Sequence, residues 1–358
     1  MASGTTTPSS QTPTTPSNQV RYVVEHEFES MRGHYGDTPP AVNSMDSNSD
    51  RLLICTACGT QYDTEDRELL TRCRICDDPR QFVPPAGQAF TTLSELKRQG
   101  CKNKWKVIDE DDRFWSIWTE PKVAIGQRCI LIKTPFGNVL WDCITFLDEE
   151  TKESINSLGG LAAIVISHPH YYTTHLEWAD AFDCPVYLSW EDKQWLNRLD
   201  RLGKARTFIE GTEEEIEVRG EKTGVKALKL GGHFPGSLVC LAYKKLLVAD
   251  TLVTAPAGLG DWSKGPDGGK GGRPPGMTSY SFMWSIPNMI PLSAEEIVGM
   301  WSVLQKHAFS STHGAFVGTE IRDKYGGSKD GVKRRVLDSM KTQVWRMGWR
   351  DHKFLRET

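Results

Sequence analysis

Residues 162–175 read Ala-Ala-Ile-Val-Ile-Ser-His-Pro-His-Tyr-Tyr-Thr-Thr-His. Ala163 to Ile166 form a short apolar, β-branched run, the pattern of a buried strand. The strand period of two puts His168 and His170 on one side of the chain, where one cation could take both imidazoles. Pro169 cannot donate a ladder hydrogen bond, so the strand is predicted to end there and to leave the histidines in a loop at its carboxyl end. Thr174 and Glu177 have capping-box spacing and predict a helix that carries Leu176, Ala179 and Phe182.

Working outward, the same arrangement recurs. Val225–Leu230 runs into Gly231-Gly-His-Phe-Pro-Gly-Ser237, which puts His233 in a glycine-rich loop after a strand. Leu246–Ala249 ends in Asp250, and Ser310-Ser-Thr-His-Gly314 ends in His313 before a glycine. Convergence of these strand ends at one sheet edge is the economical explanation. Three imidazoles and a carboxylate suit Zn²⁺ and would also hold Fe²⁺. An open coordination position would lower the pKa of a bound water to about 7 and supply a hydroxide nucleophile.

Toward the amino terminus, Cys55-Thr-Ala-Cys58 and Cys73-Arg-Ile-Cys76 supply four thiolates with the spacing of a closed tetrahedral Zn²⁺ site. A segment this small needs such a clip to fold. A closed site has no position for substrate, so this zinc is read as structural. Residues 1–49 are rich in Thr, Ser, Pro and Gln and are expected to be mostly disordered, apart from a short strand near residues 21–24. The expected organisation is therefore 1–49 disordered, 50–90 a zinc ribbon, and 91–352 the main domain, with residues 79–92 docking one onto the other.

Within the main domain, strands are predicted at 105–108, 114–118, 129–133, 138–143 and 185–188, and helices at 148–158, 174–183 and 190–199. An antiparallel start followed by strand–helix alternation indicates a mixed sheet with helices outside. Ser293–Glu296 is a second capping box, and Val332, Val336, Met340 and Val344 form a packing stripe on a tail helix over 329–347.

The ordered motifs resemble the metallo-β-lactamase superfamily over about residues 91–320. That resemblance implies an α/β fold, an αββα sandwich with the metal at one edge of two sheets, here preceded by a rubredoxin-like four-cysteine ribbon. Asp142 resembles the aspartate that braces the metal loop, His168-x-His170 the opening of the His-x-His-x-Asp-His motif, Gly232-His233 the third-ligand loop, Asp250 the bridging aspartate, and His313 the last ligand. Where the family's Asp-His pair should stand, this chain has Tyr172 and Thr173. The first site, His168, His170, His233 and Asp250, is therefore expected to be filled. A second metal through Asp250 and His313 lacks a full ligand set unless His175 joins it.

The resemblance implies a metal-dependent hydrolase acting on an ester, thioester, lactone or amide of a small molecule. Asp250 would orient the attacking water, and Tyr171 or Tyr172 would donate to the oxyanion. Trp262, Tyr280, Phe282 and Trp284 are candidates to cover a substrate or to pack. Two alternatives remain open: a degenerate metal-binding protein whose ribbon grips a protein partner, and a mononuclear iron oxygenase of the sulfur-dioxygenase type. A formal net charge of −3 offers no basic field for nucleic acid, and the ribbon's acids balance its arginines. No apolar run reaches membrane-spanning length. Nine cysteines, four in a metal set, fit reduced thiols. A cytoplasmic protein is expected, with the nucleus left open.

Overall fold

The computed structural model describes residues 49–200, 202–262, 264–265, 267–269, 273–322 and 331–358. The strand expected near residues 21–24 lies outside them. After helix α1 (Leu93–Arg98), seven strands lie side by side in chain order: β1 (Lys102–Ile108), β2 (Asp111–Glu120), β3 (Arg128–Ile132), β4 (Val139–Trp141), β5 (Ala163–Val165), β6 (Val186–Ser189) and β7 (Arg206–Ile209). Pairing is antiparallel from β1 to β4 and parallel from β4 to β7. Parallel neighbours need crossovers. Helix α2 (Glu149–Ser157) supplies the one from β4 to β5, and α3 (His175–Phe182) the one from β5 to β6.

The second sheet has six strands in the order β8 (Glu213–Val218), β9 (Glu221–Lys229), β10 (Leu238–Ala242), β11 (Lys245–Leu247), β12 (Ser311–His313) and β13 (Glu320–Arg322). Only β11 and β12 pair in parallel, and helix α4 (Ala294–Leu304) lies between them in the chain. Helix α5 (Gly331–Arg346) follows β13.

Alternation along the strands assigns the layers. Ile130, Trp141 and Val165 of the first sheet pack with Val225, Leu238 and Leu247 of the second. One residue on, Leu131, Leu140 and Ile164 point the other way and meet Ile155 of α2 and Trp178 of α3. On the far side, Val239 and Leu246 meet Ile297 and Met300 of α4 and Val336 and Met340 of α5. Two sheets face to face with helices on both outer faces make the expected αββα sandwich. The tail-helix stripe packs against this body, as its spacing indicated.

Several local expectations need correction. Helix α3 begins where predicted, but Thr174 does not cap it; its hydroxyl donates to the Thr145 carbonyl at 2.8 Å. The helix expected over 190–199 is a 3₁₀ segment, Trp190–Trp195. Beyond it the chain is drawn out to the ribbon, where Arg198 pairs with Asp63 and Glu177 and the Leu199 amide donates to Asp63 at 2.6 Å. Strands β7 and β8 escaped the sequence reading. The run Glu213-Glu-Glu-Ile-Glu-Val218 buries only Ile216 and forms a charged edge, which protects a sheet from pairing with another chain. Tyr280 and Phe282 are core residues, buried in the helix-side cluster of the second sheet.

The four-cysteine segment closes through a two-stranded pairing, Ile54 with Thr91 and Cys55 with Phe90. Its cysteines and Ile75 share one apolar cluster with Ile117, Leu131 and Phe234 of the sandwich. The tether is docked at Phe90, while Phe82 is exposed.

Trp141 is the largest side chain between the two sheets and is 2% exposed. Trp141→Ala should lower the free energy of unfolding by about 3–5 kcal/mol, read from the denaturant midpoint. An unchanged midpoint would contradict the inter-sheet placement.

Candidate metal centre

Four side chains meet where the strands end. His168 follows β5, His170 sits in the turn after it, His233 in the loop after β9, and Asp250 in the turn after β11. His170 Nδ1 is 3.3 Å from His168 Nε2 and 3.3 Å from His233 Nε2. Asp250 Oδ2 is 3.4 Å from His168 Nε2, 3.7 Å from His170 Nδ1 and 3.8 Å from His233 Nε2. A tetrahedral ion with bonds of about 2.0–2.1 Å needs donor–donor edges of about 3.3–3.4 Å, so the cage has the right size.

The outward-facing nitrogen sets the tautomer of His233. His168 Nδ1 lies 2.9 Å from Ser167 Oγ, and His233 Nδ1 3.3 Å from the Met283 carbonyl. A carbonyl only accepts, so the His233 proton is on Nδ1 and the Nε2 lone pair faces the cage. His170 Nε2 is buried without a partner, and its Nδ1 faces the cage. Burial drives His170 down to about 4 and His233 well below its ordinary value. Both rings are therefore neutral at pH 7. Burial alone would raise the Asp250 pKa, but the surrounding histidines, His168 first, hold it well below the usual carboxylate range.

The loops that carry these ligands are braced individually. Asp142 accepts from the Ser167 amide at 2.7 Å, and Ser167 in turn meets His168. Asp192 accepts from the Gly236 amide at 3.0 Å. The His233 loop passes so close to its neighbours that only glycine fits at two points. A Cβ on Gly236 would lie 2.5 Å from the Ser189 side chain, and one on Gly232, at φ +87°, would lie 2.7 Å from Thr251 Oγ1 and from Leu292.

The tyrosines divide. Tyr171 Oη is 3.5 Å from Asp250 Oδ1; burial, reinforced by Asp250, pushes its pKa well above the usual value, so it carries a proton to donate. Tyr172 faces away and donates to the Asp192 carbonyl at 3.1 Å, which removes it from the oxyanion role. His175 is not a ligand in this arrangement: its Nδ1 meets the Tyr172 carbonyl at 2.7 Å and its Nε2 accepts from Arg206 at 2.9 Å. His313 also stands outside the cage. Its Nε2 meets Ser311 Oγ at 2.9 Å and lies 3.8 Å from Asp109. The physical reason is an ion-pair network around it, in which buried Arg128 binds the Gly314 carbonyl and Glu320 while Asp109 binds Lys245 and Arg322.

At the other centre, Cys55 Sγ lies 3.5 Å from Cys76 Sγ, and Cys58 Sγ lies 3.7 Å from Cys73 Sγ. Tetrahedral sulfur ligands at about 2.3 Å need edges of about 3.8 Å. All four thiols are buried and none is in a disulfide. These two groups are the metal-sized clusters among the described residues. No helix among those residues is long and apolar enough to cross a membrane.

Sequence reading missed Ser167, Asp192 and the Met283 carbonyl. None has a signal of its own, because each acts only through a fold contact.

No family model matches the chain. It is 36% identical over 272 residues to "Uncharacterized protein YmaE" of Bacillus subtilis (strain 168), an alignment that covers 74% of this chain and 88% of that protein. Among solved structures it overlaps VMB-1 at 11% identity and TM-score 0.45, over 68% of this chain and 98% of that one. A flavo di-iron protein of Thermotoga maritima overlaps at 15% identity and TM-score 0.41, over 67% of this chain and 62% of that one. A B3 metallo-β-lactamase with an active-site glutamic acid overlaps at 13% identity and TM-score 0.39, over 67% and 90%.

Two outcomes test this geometry. His168→Ala with His170→Ala should lose one metal equivalent by elemental analysis and keep the one bound by sulfur; retention of both would refute the cage. Asp192 is fully buried and its pKa is raised to about 7 by that burial. A carboxyl raised in the folded state contributes stability that is complete below about pH 4 and is lost as pH rises through 7. Asp192→Asn should therefore flatten the fall in Tm between pH 5 and 8, by the equivalent of about 1–3 kcal/mol; parallel Tm curves would refute it.

Proposed function

We propose that this chain, which belongs to the family of the Bacillus subtilis (strain 168) protein YmaE, is a metal-dependent hydrolase of small-molecule esters, thioesters, lactones or amides. The observation that carries the reading is the cage itself. Three imidazole nitrogens and a carboxylate oxygen aim at one point, a donor set of the size and chemistry that a single cation takes. Zn²⁺ suits this nitrogen-rich donor set, and a second Zn²⁺ suits the four sulfurs. Because four protein donors already stand at tetrahedral spacing, a cation in the cage would supply Lewis-acid activation of a water and of a carbonyl oxygen only through a fifth coordination position.

The chain's own groups then divide the labour. His168, His170 and His233 hold the ion and, at 1% side-chain exposure or less, exclude water on their side. Asp250 is the one member open to solvent, with 14% of its side chain exposed, so substrate approaches past it. Its Oδ2 faces the cage and its Oδ1 faces Tyr171, which places it to orient a water. Tyr171 Oη donates toward that Oδ1 and keeps its proton at neutral pH. The ribbon centre has no open position and serves structure.

The reading supports a single ion in the cage. Tyr172, Thr173, His175 and His313, the positions from which a second ion would be held, all make other contacts or lie outside the cluster.

The test is metal content on protein purified without added metal, followed by a panel of nitrophenyl esters, acyl thioesters, lactones and amides. About two zinc per chain with turnover of one class is expected. His233→Ala should then lower kcat/KM by about 10³-fold or more, and Tyr171→Phe by about 10–100-fold, mainly in kcat. Folded, fully loaded protein that turns over none of the panel would overturn the hydrolase reading in favour of a binding role. Iron in the cage would direct the search to dioxygen chemistry.

A further inference from the structure

The ribbon reaches into the metal centre through one residue that no motif singles out. Four residues after Cys76, Arg80 leaves the ribbon and is buried, with 8% exposure, and Asp78 beside it is 3% exposed. Asp78 accepts Arg80 Nε at 2.6 Å and Nη2 at 2.8 Å, a two-pronged pair that fixes the plane of the guanidinium. The remaining arm, Nη1, donates to the His233 carbonyl at 3.3 Å.

The face of that plane is also used. Arg80 Cζ lies 3.9 Å from the centre of the Phe234 ring, and Trp195 and Trp284 flank it at 5.3 and 5.8 Å. Phe234 is wholly buried and touches all three ligand imidazoles, with centroids 5.6 Å from His168, 5.0 Å from His170 and 5.2 Å from His233. Arg80 thus holds the third-ligand loop twice, by its edge on the His233 carbonyl and by its face on Phe234. The strap is anchored at its own base, where the Pro79 carbonyl accepts Ser285 Oγ at 2.5 Å and Asn288 Nδ2 at 2.8 Å. The same segment holds Met283, whose carbonyl accepts His233 Nδ1.

We propose that Arg80 is a positioning residue for the cage: with its charge cancelled by Asp78, it fixes Phe234 and His233 in the geometry that binds the ion, so that the ribbon controls how tightly the sandwich keeps its metal. Each of the three guanidinium nitrogens is engaged by Asp78 or the His233 carbonyl and the group is buried, which separates this role from catalysis. The proposal rests on the cage binding a metal and is independent of which substrate is cleaved.

The test measures metal release, with no substrate present. Zinc-loaded full-length protein is mixed with a chromophoric chelator, and the release phases are assigned with the His168→Ala/His170→Ala and Cys55→Ser variants. Arg80→Gln should speed release from the cage by about 10–100-fold, the usual cost of losing an outer support of a metal ligand, while far-UV circular dichroism and the ribbon phase stay unchanged. Arg80→Lys keeps the charge but not the fork or the flat stack, and should release nearly as fast. Native release rates in folded Arg80→Gln, or full rescue by lysine, would overturn the proposal. Should Arg80→Gln not fold, Asp78→Asn decides, since it leaves the cage untouched and frees the guanidinium; native release there would equally overturn it. Wild-type protein that never loads the cage would instead strike down the metal reading above.

Discussion

Everything in this structure depends on holding four electron-rich atoms closer together than they would stay alone. His168 Nε2, His170 Nδ1, His233 Nε2 and Asp250 Oδ2 sit 3.3–3.8 Å apart across the measured pairs. Imidazole nitrogens and a carboxylate are crowded at such distances, and burial removes the water that would separate them. The fold supplies the constraint by bringing the ends of three strands from two sheets to one rim. Each ligand loop is then tied to a different neighbour: Ser167 and Asp142 for the first, Asp192 and Thr251 for the third.

Those ties explain why buried polar groups cluster here. Asp142 and Asp192 are both fully buried, and burial raises both to about 7. Such groups cost stability, and each is placed to accept a backbone amide of a ligand loop. A cation in the cage offsets part of that cost because it binds the folded arrangement and not the open chain.

The fold and the cage were legible in the sequence for a simple reason: both are written in local patterns. Ala163–Ile166 announces its strand by apolar β-branched residues, Pro169 announces its end, and Gly231-Gly232 announces the tight loop that carries His233. The two C-x-x-C pairs state their geometry by spacing alone. What was not legible depends on distant contacts. Nothing around Thr174 shows that its hydroxyl will turn from the helix to the Thr145 carbonyl, and nothing near Trp195 shows that Arg198 will leave the helix for Asp63. His313 stands in the right motif, yet Arg128 and Asp109, far away in sequence, decide what surrounds it. Strand β8 was hidden because an edge strand satisfies its solvent face with glutamates, the composition of a loop.

The departure at Tyr172 and Thr173 takes its meaning from the same contacts. In the binuclear members that the motifs resemble, this turn carries ligands to a second metal. Here the Thr173 carbonyl accepts the Gln61 amide of the ribbon at 3.1 Å, and the neighbouring Thr145 donates to the Gly59 carbonyl at 3.3 Å. Gly59 approaches so closely that a Cβ there would lie 2.1 Å from Thr145 Oγ1. The turn that elsewhere faces a metal thus serves as the dock for a four-cysteine module, with Tyr172 tied to Asp192 behind it. A buried carboxylate at these positions would need a cation to neutralise it, whereas a tyrosine and a threonine need only hydrogen-bond partners. The ribbon is thus seated on this turn, and through Arg80 it also reaches the loop that carries His233.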